Sequence, residues 1–250
     1  MEITILGCSG GYPSPGGATS GYLIRSGGRT ILIDCGSGVL SRLFRHTSLE
    51  NLDAIIISHF HNDHFCDLSV LKYAIQMNRG NGSEIPNIPI YAPGSPESLA
   101  ALIWDEPVFD YHRIDGDTTL TLFDLTITFT QTEHPVECYA IRVVKKNQCD
   151  ECKKVFVYTS DSLYTKSLSD FCSGADLLFM DCGCLSKYKG PGMFHMTPTD
   201  GYRLFEESGA RRVVLSHLVP YYHLSEFVEE AQEAGSWPFD IAIPDRTYLL

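Results

Sequence analysis

The apolar run Ala54-Ile55-Ile56-Ile57 ends directly in Ser58-His59-Phe60-His61-Asn62-Asp63-His64, and this junction constrains the 250-residue chain more than any other segment. A short run rich in β-branched residues reads as a buried strand. When such a strand opens into an irregular turn, its imidazoles and carboxylate can be aimed at more than one point. His59 and His61, one residue apart, can face one ion. Asp63 and His64 can face a second a few ångströms away, the separation used in hydrolytic two-metal sites. Three His and one Asp so close behind a strand are a stronger signal than a polar turn that happens to contain histidine.

The chain has nine His, few enough to weigh one by one. His134 follows the strand-like Leu125-Thr126-Ile127-Thr128-Phe129-Thr130, and His217 follows Val213-Val214-Leu215. Asp161 stands just after Val155-Phe156-Val157-Tyr158. Four separate strands would then each deliver a ligand at the carboxyl end, where sites in strand–helix proteins gather.

In that order, His59-x-His61-x-Asp63-His64, His134, Asp161 and His217 resemble the metallo-β-lactamase superfamily of hydrolases. The opening agrees: Ile3-Thr4-Ile5-Leu6-Gly7 resembles the first strand, and Ile31-Leu32-Ile33-Asp34-Cys35-Gly36 resembles the superfamily's Asp-x-Gly turn. Phe194-His195-Met196-Thr197 resembles the His-x-Thr/Ser element of the ribonuclease Z-like branch, with Phe194 where that branch usually has Gly. The resemblance implies an α/β fold, a four-layer αββα sandwich of two mixed sheets with helices outside. It implies one ion on His59, His61 and His134, a second on Asp63, His64 and His217, and Asp161 bridging them. It also implies catalytic roles for Asp63 and His195. Five imidazoles and two carboxylates only partly neutralise two divalent ions, which leaves positive charge to lower the pKa of a shared water. With no Cys among the ligands, thiolate softness does not single out zinc; zinc is the first choice, with manganese and iron as alternatives.

Ligands running from His59 to His217 must converge, so residues 1–250 are expected to form a single hydrolase domain. No linker, repeat or low-complexity segment interrupts them. The start Met1-Glu2-Ile3-Thr4-Ile5 has no basic leader region, and no apolar run approaches membrane-spanning length, so a soluble, cytoplasmic protein without membrane partners is expected. A homodimer is compatible with this reading. In that compartment the nine Cys are free thiols, with Cys8, Cys35 and Cys66 reading as small buried hydrophobes. Cys149-Asp150-Glu151-Cys152, flanked by lysines, is expected at the tip of a long hairpin; Cys-x-x-Cys supplies only two of the four ligands that a structural zinc needs.

Strands are expected near residues 2–6, 20–25, 30–33, 54–57, 89–92, 119–130, 139–144, 155–159, 177–181, 212–216 and 247–249. Helical spacing marks Val39, Leu40, Leu43 and Phe44; Leu68, Leu71 and Ala74; and Leu224, Phe227, Val228 and Ala231. Thr197 before Pro198 starts a further helix, which Gly209 stops.

The metals alone fit phosphodiesters, thioesters, lactones and β-lactams. His195 favours phosphodiesters, because an imidazolium can protonate a departing alkoxide. A net charge of −12 is poor for attracting a polyanion. Only residues 135–160 lie between His134 and Asp161, leaving no room for the long arm of ribonuclease Z, and Tyr12 to Ser20 contains no Lys or Arg. A small phosphodiester such as a cyclic nucleotide is therefore the expected substrate, and nucleic acid is disfavoured. A transfer-RNA 3′-processing nuclease and a thioesterase or lactonase are the alternatives. Lys187 and Lys189 are weak candidates for phosphate contact.

Overall fold

The computed structural model describes residues 1–104, 107–146 and 153–250, so Cys149 and Cys152 lie outside the described residues. The chain divides into two compact units, residues 1–114 with 243–249, and residues 115–242 with Leu250.

The first unit holds strands β1 (Glu2–Gly7), β2 (Gly21–Ser26), β3 (Arg29–Ile33), β4 (Ala54–Ile56), β5 (Ile88–Ala92), β6 (Phe109–Arg113) and, from the carboxyl end of the chain, β14 (Thr247–Leu249). They form one sheet in the order β14-β1-β2-β3-β4-β5-β6. β14, β1, β2 and β3 pair antiparallel, whereas β3 to β6 run parallel. β4 is wholly buried, as its uninterrupted apolar sequence requires of a central parallel strand. Helices α1 (Val39–His46), α2 (Asn62–Phe65), α3 (Leu68–Gly80) and α4 (Glu97–Trp104) belong to the same unit. Val39, Leu40 and Leu43 face its core, with Leu32, Ile55 and Leu71 among their neighbours in the cluster. Phe44 is instead exposed, lying one helical step off the buried stripe.

The second unit repeats the plan. Strands β7 (Thr119–Leu122), β8 (Leu125–Gln131), β9 (Tyr139–Lys145), β10 (Lys154–Tyr158), β11 (Leu177–Asp181), β12 (Val213–Ser216) and β13 (Phe239–Ile241) form a sheet in the order β13-β12-β11-β10-β9-β8-β7. β7 to β10 are antiparallel and β10 to β13 parallel. Helices α5 (Lys166–Phe171), α6 (Pro198–Ser208) and α7 (Leu224–Ala234) complete it. α6 begins at the expected place: Thr197 accepts from the Asp200 amide, Asp200 accepts from the Thr197 amide, and Gly209 ends the helix at φ 64°.

Several expectations need correction. Residues 119–130 are a hairpin and not one strand, because the chain reverses at Phe123 with φ 59°, pairing Leu122 with Leu125. β6, with its charged Asp110, His112 and Arg113, and β13, only three residues long, carry too little alternation to be read from sequence. Cys66 is only partly buried, unlike Cys8 and Cys35. None of the seven described Cys forms a disulfide with another described residue. No helix among the described residues is long and apolar enough to cross a membrane.

Candidate functional site

In the first unit, β3 and β4 are parallel neighbours, so Asp34 and Ser58 emerge side by side at their carboxyl ends. Asp34 has φ 55°, a conformation in which Asp is among the few tolerated residues. This bend turns its carboxylate into the segment that follows β4. Asp34 Oδ1 accepts the Ser58 amide at 2.8 Å, and Oδ2 accepts the Ser58 hydroxyl at 2.9 Å. The same Oδ2 lies 2.8 Å from Nδ1 of His64, with both side chains fully buried. Asp34 thus accepts a hydrogen bond from Nδ1–H of His64 and leaves Nε2 with its lone pair, the usual device for orienting a ligating histidine.

The other three residues of the motif gather at the same end. His59 Nδ1 is 3.1 Å from the Ser58 hydroxyl, and His59 Nε2 is 3.1 Å from His61 Nδ1. Asp63 Oδ2 accepts the Gly11 amide at 2.7 Å and lies 3.6 Å from His64 Nε2. Gly36 makes this close approach possible: a Cβ there would sit 1.9 Å from the Asp63 carbonyl oxygen.

In the second unit, β10, β11 and β12 are adjacent and parallel, and each delivers an Asp or His at its carboxyl end: Asp161 after β10, Asp181 closing β11, His217 after β12. His134 comes from the turn after β8. Ser160 and His217 have φ 53° and 55°, left-handed turns that swing Asp161 and His217 out of the strand direction. The carbonyl of Asp161 is fastened by the Thr132 hydroxyl at 2.8 Å and the Cys138 thiol at 3.4 Å. Asp161 Oδ2 stands 3.9 Å from His134 Nε2 and 3.4 Å from His217 Nε2, so one carboxylate oxygen faces two imidazoles.

Asp181, fully buried, is the hub of this unit. Its Oδ2 lies 3.0 Å from His195 Nδ1 and accepts the Ser162 amide at 3.1 Å. Its Oδ1 accepts the Gly183 amide at 2.9 Å and lies 3.4 Å from His217 Nδ1. Burial alone would push the Asp181 carboxyl up, but the charge and hydrogen bond of His195, with the bond from His217, hold it below the ordinary value. Conversely the Asp181 charge raises His195, against the opposing effect of burial. The His195 and His217 rings stack at 5.0 Å with 23° between planes. Asp161, Asp181, His195 and His217 each place one donor atom within 4.8 Å of the others, a grouping able to hold a cation.

All eight residues singled out in the sequence therefore fall into two clusters, His59, His61, Asp63 and His64 in the first unit, and His134, Asp161, His195 and His217 in the second. Lys187 and Lys189 do not join them, being paired with Glu226 and Asp200. Two residues were missed as site residues, Asp34 and Asp181. Both stand at the carboxyl end of an apolar run, Ile31-Leu32-Ile33-Asp34 and Leu177-Leu178-Phe179-Met180-Asp181, much as Asp161 stands shortly after Val155-Phe156-Val157-Tyr158.

A family model described as "Beta-lactamase superfamily domain" matches residues 29–218, about three quarters of the chain. The chain belongs to the metallo-β-lactamase superfamily. Within it, a protein of Bacillus subtilis described as "Probable metallo-hydrolase YhfI" is 37% identical over 97% of both chains. The crystal structure of YhfI matches with a TM-score of 0.89 at 34% identity, covering 99% of this chain and 98% of that one. The metallo-β-lactamase fold is thereby established for the chain. Human tRNase Z, short form, is 21% identical with a TM-score of 0.78, covering 100% and 99% of the two chains. A diphosphatase from the PhnP family is 18% identical with a TM-score of 0.76, covering 100% and 97%. At such identities these last two likenesses show a shared fold alone.

Proposed function

We propose that the chain is a metallo-hydrolase of small phosphodiesters, with His59, His61, Asp63, His64, His134, Asp161 and His217 holding two divalent ions, zinc being the first choice. The reading rests on family membership, on the likeness to YhfI, and on one observation above the others: an acidic group, Asp181, sets beside a ligand-type histidine a second histidine, His195, whose proton affinity it raises.

The residues present fit the metals. Two nitrogens bound about 2.0–2.1 Å from a tetrahedral ion stand about 3.3 Å apart. His59 Nε2 and His61 Nδ1 are 3.1 Å apart, and Asp63 with His64 and Asp161 with His217 form similar pairs at 3.6 and 3.4 Å. Asp161 Oδ2, facing both His134 and His217, suits a bridging role. Bound divalent ions would supply Lewis acidity and lower the pKa of a water molecule. Asp34 keeps the ring of His64 turned toward its task by its hydrogen bond with Nδ1, and Asp181 faces the Nδ1 side of His217 at 3.4 Å. Asp63, fixed by the Gly11 amide, serves as ligand and as a carboxylate able to take up a proton from the attacking water. His195, protonated beside Asp181, gives a proton at Nε2 to the departing alkoxide.

A small substrate is favoured over a polyanion by the net charge of −12. The deciding experiment is a hydrolysis screen of the zinc-loaded chain and its His195→Ala variant against bis-p-nitrophenyl phosphate, cyclic nucleotides, precursor transfer RNA, thioesters and lactones. Turnover of cyclic nucleotides that depends on His195 supports the proposal. Turnover of thioesters or lactones alone, indifferent to His195, would replace it.

A further inference from the structure

Two loops of the second unit carry His195 and His217, and tyrosines from both loops meet. The loop between β11 and α6 contains Tyr188 as well as His195, and the loop after β12 contains Tyr221 and Tyr222 as well as His217. Tyr188 and Tyr222 stack with centroids 5.1 Å apart and 12° between planes. Tyr221 meets Tyr222 edge-on at 5.4 Å and 76°, and Tyr222 rests on Phe227 of α7 at 5.9 Å. Phe227 is buried, so the stack is anchored on one side in the core of the unit. On the other side Lys187 Nζ lies over the Tyr188 ring at 4.9 Å from its centroid, Tyr188 is 50% exposed, and Tyr221 is open to solvent at 78% exposed.

The position of this stack follows from chain geometry. Tyr221 is the fourth residue after His217, and four residues reach at most about 13–14 Å even when fully extended. The segment is bent, because the Tyr222 amide donates to the Val219 carbonyl at 3.2 Å, so the true span is shorter. Tyr221 is thus within reach of the far end of a small substrate held at His217. The patch is too small for a protein partner. Each aromatic side chain buries about 150–250 Å², and these are already partly covered, against about 800 Å² per partner in a stable interface. A planar ring, by contrast, needs only one or two flat faces held rigidly in water-accessible positions, the arrangement by which proteins stack bases irrespective of their identity.

We propose that Tyr221, backed by Tyr222 and Tyr188, is a stacking platform for a planar heteroaromatic ring, the nucleobase of a nucleotide substrate, and so selects base-bearing phosphodiesters. This deepens the phosphodiesterase reading and rests on it for the place of the phosphate. The test is equilibrium binding by calorimetry of AMP and ribose 5-phosphate to the full-length zinc-loaded chain, for the wild type, Tyr221→Ala and Tyr221→Trp. Wild type should bind AMP at least about tenfold more tightly than ribose 5-phosphate. Tyr221→Ala should weaken AMP alone and bring the two affinities together, and Tyr221→Trp should restore the difference. Equal affinities in the wild type, equal weakening of both ligands by Tyr221→Ala, or no restoration by Trp would overturn the proposal. So would self-association that Tyr221→Ala abolishes while the AMP preference stays intact. Because binding is measured without turnover, a chain that hydrolyses no phosphodiester but retains the AMP preference would sink the phosphodiesterase reading and spare the platform.

Discussion

Asp34 and His64 touch through Oδ2 and Nδ1 at 2.8 Å, both without solvent access, although thirty positions separate them in the sequence. Asp181 stands toward His195 in the same way at 3.0 Å. In each unit, then, a carboxylate at the end of a parallel strand commits one ring nitrogen of a histidine and leaves the other for chemistry.

Replacing Asp34 with Asn should weaken metal binding by about 10- to 100-fold, the usual cost of losing the partner of a ligating histidine. The amide can accept the Nδ1 proton, but it has no charge to raise the basicity of the ring. Competition with a chromophoric chelator reads the affinity directly, and an unchanged zinc affinity would show that Asp34 serves only the turn it shares with Ser58.

Asp161→Ala should lower the content of both ions, whereas His217→Ala should deplete mainly one. The asymmetry follows from Asp161 Oδ2 facing His134 and His217 together. Elemental analysis of variants prepared side by side checks it; loss of the same single ion from both would deny Asp161 a shared role.

His195→Ala should retain its metals and lose about 10²–10⁴-fold in turnover of a phosphodiester with an alkoxide leaving group. A p-nitrophenolate ester, which departs without protonation, should lose far less. Wild-type rates on both substrates in the metal-replete variant would remove the acid role from His195.

Asp245 binds α1 to the end of the chain: Arg42, Arg45 and His46 all lie within 2.9 Å of its carboxylate. Burial would raise this carboxyl, but the His46 hydrogen bond and the two arginine charges outweigh it and hold it below the ordinary value. A depressed carboxyl stabilises the fold above the unfolded-state pKa, and that contribution disappears as the pH falls through the folded value. Asp245→Asn, which tolerates the φ of 67° at this position, should therefore cost about 0.5–1 kcal/mol near neutrality, the scale of partly exposed ion pairs. Urea titrations should show the gap between variant and wild type closing as the pH drops below the ordinary aspartate range. A gap independent of pH would point to packing instead of charge.

The turns that bear the candidate ligands were legible because an apolar run followed closely by His or Asp combines two strong local signals, a buried strand and a polar stop. β4 with His59 and β12 with His217 are examples. Asp34 and Asp181 showed the same pattern, yet their work depends on which strands become neighbours. Nothing local states that β3 lies beside β4, or that β11 lies between β10 and β12. The hairpin at Phe123 was hidden for a different reason: its turn is made by Phe123 and Asp124, where glycine or asparagine would ordinarily announce a left-handed residue. The tyrosine stack was equally silent, since Tyr188 and Tyr222 come together only through the loops that bear them.

The register of β14 on β1, which sets Tyr248 against Ile3 and Leu249 against Glu2, has a bearing on how the protein is made. β1 must wait for residues 8–246 to be made before β14 can cover its outer edge. Until then the backbone groups on that side of the apolar segment Ile3-Thr4-Ile5 are unpaired, open to addition of a strand from another nascent chain. A chain clipped before Thr247 would keep every candidate ligand named above and still present that edge, so its failure would be seen as aggregation during synthesis before any loss of chemistry could be measured.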